Sequence, residues 1–174
     1  MAVQESTERV ARLTGAIEQQ LLTWRWRTLV QVLQACRGIQ LIHAVRIVAE
    51  LGDLSRFSHP RQLMAYLGLV PSEDSSAERR RQGAITKAGN ASARRALVEA
   101  AWAYQYRAAI TAIIARRHTG VPKPILDIAW KAQLRLCARF ERLARRGLNR
   151  NKIAVAIARE LAGFVWAIAQ YQPR

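Results

Sequence analysis

Ile125-Leu-Asp-Ile-Ala-Trp-Lys131-Ala-Gln-Leu-Arg135-Leu-Cys-Ala-Arg139-Phe-Glu-Arg142-Leu-Ala-Arg-Arg146 decides the fold class. Lys131, Arg135, Arg139, Arg142 and Arg146 follow at steps of four, four, three and four. At ~100° per residue those steps place all five on one face of an α-helix. Ala129, Leu136, Cys137, Phe140 and Leu143 fall on the other face, and Gly147 ends the segment. Between Lys131 and Arg146 the acidic residue is Glu141, and like charges at these spacings repel. The stripe is therefore expected to face phosphates rather than to be a merely solvated helix back.

The same 3.6-residue period continues on both sides. Downstream, a helix from about Asn151 to Gln170 buries Ile153, Ile157, Leu161, Phe164, Val165 and Ile168. Upstream, Arg116 to Pro124 reads as a linker. Before it, Asn90 is a good N-cap for a long helix from about Ala91 to Ile114. That helix is apolar nearly all round, so it is expected to be the central buried one. Ser72 to Gly83 is polar and reads as an exposed loop. Ser58 can cap a short helix with Pro60 in its first turn, running toward Leu67. Gly38-Ile39-Gln40 lies between two apolar helices, as in a helix-hairpin-helix. Such a turn offers backbone N–H groups to a phosphate when glycine holds both ends. Gln40 occupies the second glycine position, which leaves a purely structural hairpin as the alternative.

At the N-terminus, Val10, Leu13, Ile17, Leu21 and Trp24 form one stripe of a long helix. No convincing alternating strand is visible. The expected architecture is all-α, with about six helices. A long N-terminal helix over 1–33, coiled-coil-like or a linker, precedes a helical domain over 34–174. That domain holds the hairpin-like element, the central helix and two C-terminal amphipathic helices.

The 174 residues include 28 Lys and Arg against 12 Asp and Glu, a net charge of +16. Self-repulsion on that scale opposes a compact fold, so a polyanionic partner is expected. Cys36 and Cys137 stand alone, as do His43, His59 and His118, and nothing has metal-ligand spacing. The two thiols read as buried hydrophobes in a reducing compartment. There is no signal region and no apolar run of ~20 residues. A bacterial cytoplasmic, nucleoid-associated location is the expectation, and a membrane-surface role is disfavoured.

A series of motifs in fixed order carries more specific information. It runs Gly52-Asp53-Leu-Ser-Arg-Phe57, Gln62-Leu-Met-Ala-Tyr66-Leu-Gly68-Leu-Val-Pro71-Ser-Glu-Asp-Ser75-Ser76, Gly83-Ala-Ile-Thr-Lys87-Ala-Gly89-Asn90, and Arg94-Arg95-Ala-Leu-Val-Glu-Ala-Ala-Trp102. It resembles the C-terminal transposase domain of the insertion-sequence 110/116/902 family. Ile128-Ala-Trp130-Lys131 and Ala158-Arg-Glu160-Leu-Ala-Gly-Phe164-Val-Trp166 extend the resemblance almost to the end.

The resemblance implies a serine-using DNA recombinase directed by a structured guide RNA and working as a homo-oligomer. It implies a preceding RNase-H-like domain with four acidic residues and divalent metal (Mg), acting in cis or in trans. No acidic set of that kind is legible here, so no cofactor is expected in this chain. A start at Met1 would suit a truncated or internally initiated copy. Ser76-Ala77 stands where the family has Ser-Gly, and Ala resists backbone angles that Gly permits.

A serine attacking a phosphodiester needs an accessible hydroxyl, a route for its proton and cations around the phosphoryl oxygens. With the resemblance, Ser76 becomes the expected nucleophile, ahead of Ser75 and Ser72. Arg79, Arg80, Arg81 and Lys87 are the nearby cations, with Asn90, Arg94 and Arg95 at the next helix start. Lys131, Arg135, Arg139, Arg142 and Arg146 supply the second DNA- or RNA-binding set. The alternative reading is a non-catalytic nucleic-acid-binding or multimerisation remnant of such a transposase.

Overall fold

A computed structural model of the chain describes residues 2–76 and 79–171, with side-chain placements at residue 2 and at 73–83 outside the description. The fold is all-α apart from one small hairpin. Among the described residues there are eight α-helices rather than about six. They are α1 (Ala2–Leu21), α2 (Arg27–Leu33), α3 (Leu41–Leu51), α4 (Pro60–Tyr66), α5 (Ala91–Ala101), α6 (Ala112–His118), α7 (Lys123–Arg145) and α8 (Arg150–Ala169). None is long and apolar enough to cross a membrane.

The C-terminal helix α8 is the centre. It packs against α7, α5, α4 and α2. Ile153, Ile157, Leu161, Val165 and Ile168 are buried as the period requires, and Phe164 is half-buried. Ala154, Ala158 and Ala162 are buried beside them. Their small side chains let several helices approach one axis, a role that amphipathic periodicity does not announce.

The expected central helix over 91–114 is not continuous. Its first part, α5, buries Ala93, Ala96, Leu97, Ala100 and Ala101. The chain then tightens into a 3-10 turn at Trp102–Gln105 and becomes extended at Tyr106. It restarts at α6, where Thr111 accepts from the Ile114 N–H at 3.4 Å. Ile110 and Ile113 are exposed instead of buried. Long-range hydrogen bonds replace the helical ones. Arg37 donates to the Arg107 carbonyl at 2.7 Å, and the Ala109 N–H donates to Gln133 Oε1 at 3.3 Å. Tertiary partners thus override strong local helix propensity.

One further local reading changes, and one of two open readings is favoured. His59, not Ser58, caps α4, accepting from the Arg61 N–H at 3.1 Å through Nδ1. Ser58 instead donates its backbone N–H and its hydroxyl to Gln62 Oε1, at 2.9 and 3.2 Å. The Gly38-Ile39 turn between α2 and α3 packs inward. A Cβ on Gly38 would lie 2.1 Å from the Ala100 carbonyl oxygen. Ile39 is fully buried, and its carbonyl accepts from Arg117 at 2.6 Å. Packed this way, the turn is a structural hairpin.

Leu21 and Trp24 rest against the core, but Val3, Val10 and Leu13 of α1 are exposed. Trp24 lies past the end of α1. The apolar stripe of this helix therefore has no cover along its first half.

Candidate nucleic-acid interface

The polar stretch expected to be a loop is an antiparallel hairpin, β1 (Pro71–Ser76) and β2 (Arg79–Ile85). Its sequence hid it, because a ribbon of almost wholly polar residues shows no apolar alternation. Ser76 ends β1 and is paired in register with Arg79; Ser75 pairs with Arg80 and Asp74 with Arg81. The side chains of these residues, and Ala77 altogether, lie outside the described residues.

The base of the hairpin is tied firmly to the end of α4. The backbone N–H groups of Thr86, Lys87 and Asn90 donate to the carbonyls of Val70, Gly68 and Tyr66, at 3.0, 3.1 and 3.2 Å. Arg94 donates to the carbonyls of Leu67 and Lys87, at 3.0 and 3.1 Å. Lys87 itself holds a positive φ of 55°. Asn90 caps α5 as expected, accepting from the Ala93 N–H at 2.8 Å, and its amide also donates to Glu50. Arg94 and Asn90 thus anchor backbone and helix, while Arg95 is exposed and paired with Glu99 at 2.8 Å.

Beside that base lies a groove of about 1000 Å³ between α4, the hairpin, α7 and α8. It gathers Lys87, Arg135 and Arg139 from the sequence-predicted set. Arg61, Lys152 and Arg159, which sequence reading passed over, join them. Lys152 and Arg159 are seven residues apart on α8 and so share one face, a legible signal. Their meeting with the α7 stripe is not legible, because it depends on how α7 and α8 pack.

Among the described lining residues Glu160 is the one carboxylate. It lies 2.7 Å from Arg135 Nε and 2.6 Å from Arg139 Nε. The Arg139 nitrogen is out of line for a hydrogen bond, so that contact is an ion pair alone. The stripe is therefore partly neutralised by a helix outside its own span. Lys131, Arg142 and Arg146 have no ion-pair partner among the described residues, and all three are exposed.

The two thiols are closed off as nucleophiles. Burial pushes the Cys36 thiol up to about 12, against a smaller opposing pull from Arg117. Burial also raises Cys137. Neither is a thiolate near neutral pH. Among the described residues no three His, Cys, Asp or Glu side chains converge as a metal site. A groove with a single carboxylate, itself held by two arginines, does not fit the oxygen-rich shell that Mg²⁺ requires.

A family model described as the transposase IS116/IS110/IS902 family matches residues 30–116. The chain is similar to the putative transposase y4qE of Sinorhizobium fredii, at 45% identity over 170 residues, covering 98% of this chain and 42% of that protein. It is also similar to the transposase for insertion sequence element IS1111A of Coxiella burnetii, at 32% over 142 residues, covering 82% of this chain and 33% of that protein. A probable family 20 transposase of Pseudomonas aeruginosa is 37% identical over 93 residues, covering 53% of this chain and 27% of that protein. The chain thus spans less than half the length of each of these curated relatives.

Proposed function

The chain belongs to the transposase IS116/IS110/IS902 family, and from that premise we propose that it is a DNA-recombination domain whose hairpin offers Ser76 to a phosphodiester at its turn and has a cationic groove for the same strand at its root. The observation that carries this reading is the convergence of Lys87, Arg135 and Arg139 with Arg61, Lys152 and Arg159 at the root of the hairpin. Cations drawn from four separate elements gain nothing from mutual repulsion unless an anion joins them. A nucleic-acid backbone is the anion that the family supplies.

In the proposed reaction the Ser76 Oγ bonds to phosphorus as one P–O bond to the sugar breaks. The serine proton leaves, and the released sugar oxygen takes one up. One phosphoester is exchanged for another, so reversal needs no added energy source. Arg79, Arg80 and Arg81 would stabilise charge on the phosphoryl oxygens, while Lys87, at the root of the hairpin, would hold a neighbouring phosphate of the same strand. A divalent cation, a general base and a structured guide RNA would come from an acidic RNase-H-like domain and its partners, at the bacterial nucleoid. The non-catalytic reading keeps the groove and drops the chemistry; for the chain acting alone it is supported by the groove's carboxylate, Glu160, being held by two arginines, and by the His59 ring, which also lines the groove, being used through Nδ1 to cap α4.

DNA binding by the whole chain tests the groove. Affinity should be nearly sequence-independent, because phosphate contacts carry no base information. Replacing Arg135, Arg139 and Arg142 together with Ala should lower affinity and reduce the salt slope by about 3, at ~0.9 per phosphate contact. Removing the first two also leaves Glu160 unpaired in the groove, which adds repulsion. Unchanged affinity and slope in fluorescence anisotropy would sink this reading.

Self-association through α1 belongs to the same proposal. Replacing Leu13 and Ile17 with Lys should shift the chain toward monomer in light scattering. A wild-type chain already monomeric at high concentration would refute it.

A further inference from the structure

The groove has an apolar floor that phosphate binding does not explain. Met64, Leu69, Pro71, Ile85 and Val155 line it from α4, both ends of the hairpin and α8. Leu69 is almost fully buried and the others are half-buried. An ionised phosphate pressed onto that floor would lose hydration without gaining a partner. The cations lie around it. Arg61, Lys87, Lys152 and Arg159 come from elements that surround the floor, and the first turn of α8 adds Asn151.

Apolar floor and cationic surround together match a nucleotide whose base has left its stack. The base needs an apolar face to cover it, while the flanking phosphates need cations. A duplex outside its grooves presents only sugars and phosphates, so it would leave the floor empty. At about 1000 Å³ the groove is at the upper end of the ~300–1000 Å³ of sites that enclose small organic ligands.

We propose that this groove binds an unpaired deoxynucleotide of a DNA strand, with the base on the Met64–Ile85–Val155 floor and the adjoining phosphates on Lys87, Lys152 and Arg159. The proposal rests on the cationic-groove reading above and adds the state of the strand. Charge complementarity fixes the occupant as a polyanion. The sugar is that of the DNA strand in the proposed function above, and Glu160 offers nothing against it. Telling RNA from DNA requires a group for the 2′-hydroxyl. The carboxylate at the groove is already engaged by Arg135 and Arg139.

The test is fluorescence anisotropy of the whole chain with four probes carrying the same number of phosphates. They are an oligodeoxythymidine, a strand of abasic deoxyribose phosphates, a duplex and an oligouridine. The oligodeoxythymidine should bind about fivefold tighter than the abasic strand, the low end of the effect of covering one base, because the floor is aliphatic rather than aromatic. Ala156 lines the groove from α8 beside Val155, so Ala156→Phe fills the floor and should bring that ratio to about one while leaving abasic-strand affinity unchanged. Ile85→Ser, which removes floor without adding volume, should narrow the ratio in the same direction. Melting curves establish that each variant is folded.

Equal wild-type affinity for the oligodeoxythymidine and the abasic strand overturns the base pocket. So does tighter binding of the duplex than of the single strand. Tighter binding of oligouridine overturns the assignment to DNA. The double variant Lys87→Ala, Lys152→Ala should weaken all four probes alike. No change there is a different failure, because it removes the cationic groove itself as a nucleic-acid surface.

Discussion

Ser76→Ala is expected to abolish a covalent protein–DNA adduct while leaving DNA affinity unchanged. Without its oxygen no phosphoserine link can form, whereas removing a neutral hydroxyl hardly alters the field of a chain carrying +16. The adduct should appear only when the chain is supplied with a compatible acidic domain, Mg²⁺ and guide RNA. The alternatives nearby are few. The Ser72 hydroxyl already donates to the Ala84 carbonyl at 2.9 Å. Ser75 lies one register position further from the turn, opposite Arg80. Denaturing gels with radiolabelled DNA make the measurement. An adduct that persists in Ser76→Ala and vanishes in Ser75→Ala would move the nucleophile back by one residue. Ala77→Gly should leave activity unchanged or raise it, since glycine restores backbone freedom beside the nucleophile. Strand transfer by the isolated chain would mean that the active site is complete without a second domain.

The second large effect is on stability. Gly89→Ala should destabilise the fold by about 3 kcal/mol or more, while Gly147→Ala costs only ~1–2 kcal/mol. Both glycines have positive φ, 97° and 73°. A Cβ on Gly147 would meet nothing within 4 Å, so only the left-handed backbone opposes it. A Cβ on Gly89 would lie 1.9 Å from the Tyr66 carbonyl oxygen. That carbonyl is the acceptor for Asn90, at the tie between α4 and the hairpin. Backbone on both sides leaves no flexible side chain to move aside. For a domain of this size the difference amounts to several degrees in Tm, at roughly 2–4 °C per kcal/mol. Equal melting temperatures for the two variants would show that the α4–hairpin junction can open at no cost. Because Lys87 is held by the same junction, Gly89→Ala should also weaken DNA binding; Gly147→Ala should not.

The sequence by itself determined whatever local chemistry settles. The 3.6-residue period set the helices, Asn90 set the start of α5, and Gly147 ended the basic helix. The motifs from Gly52 to Trp102 set the family. Charge alone pointed to a polyanion. The tertiary structure decided the rest. The helix expected through Ile114 breaks after Ala101 because Arg37 and Gln133, distant in sequence, capture the backbone groups that a helix would have used. The polar stretch around Ser76 pairs into a hairpin through backbone hydrogen bonds, which leave no trace in side-chain pattern. The α7 stripe is legible as a stripe, but Glu160 reaches it across a helix contact and neutralises part of it. The groove exists only where α4, the hairpin, α7 and α8 meet. Periodicity reports which face of one helix is apolar; which faces meet depends on packing volumes and on hydrogen bonds between residues far apart in the chain.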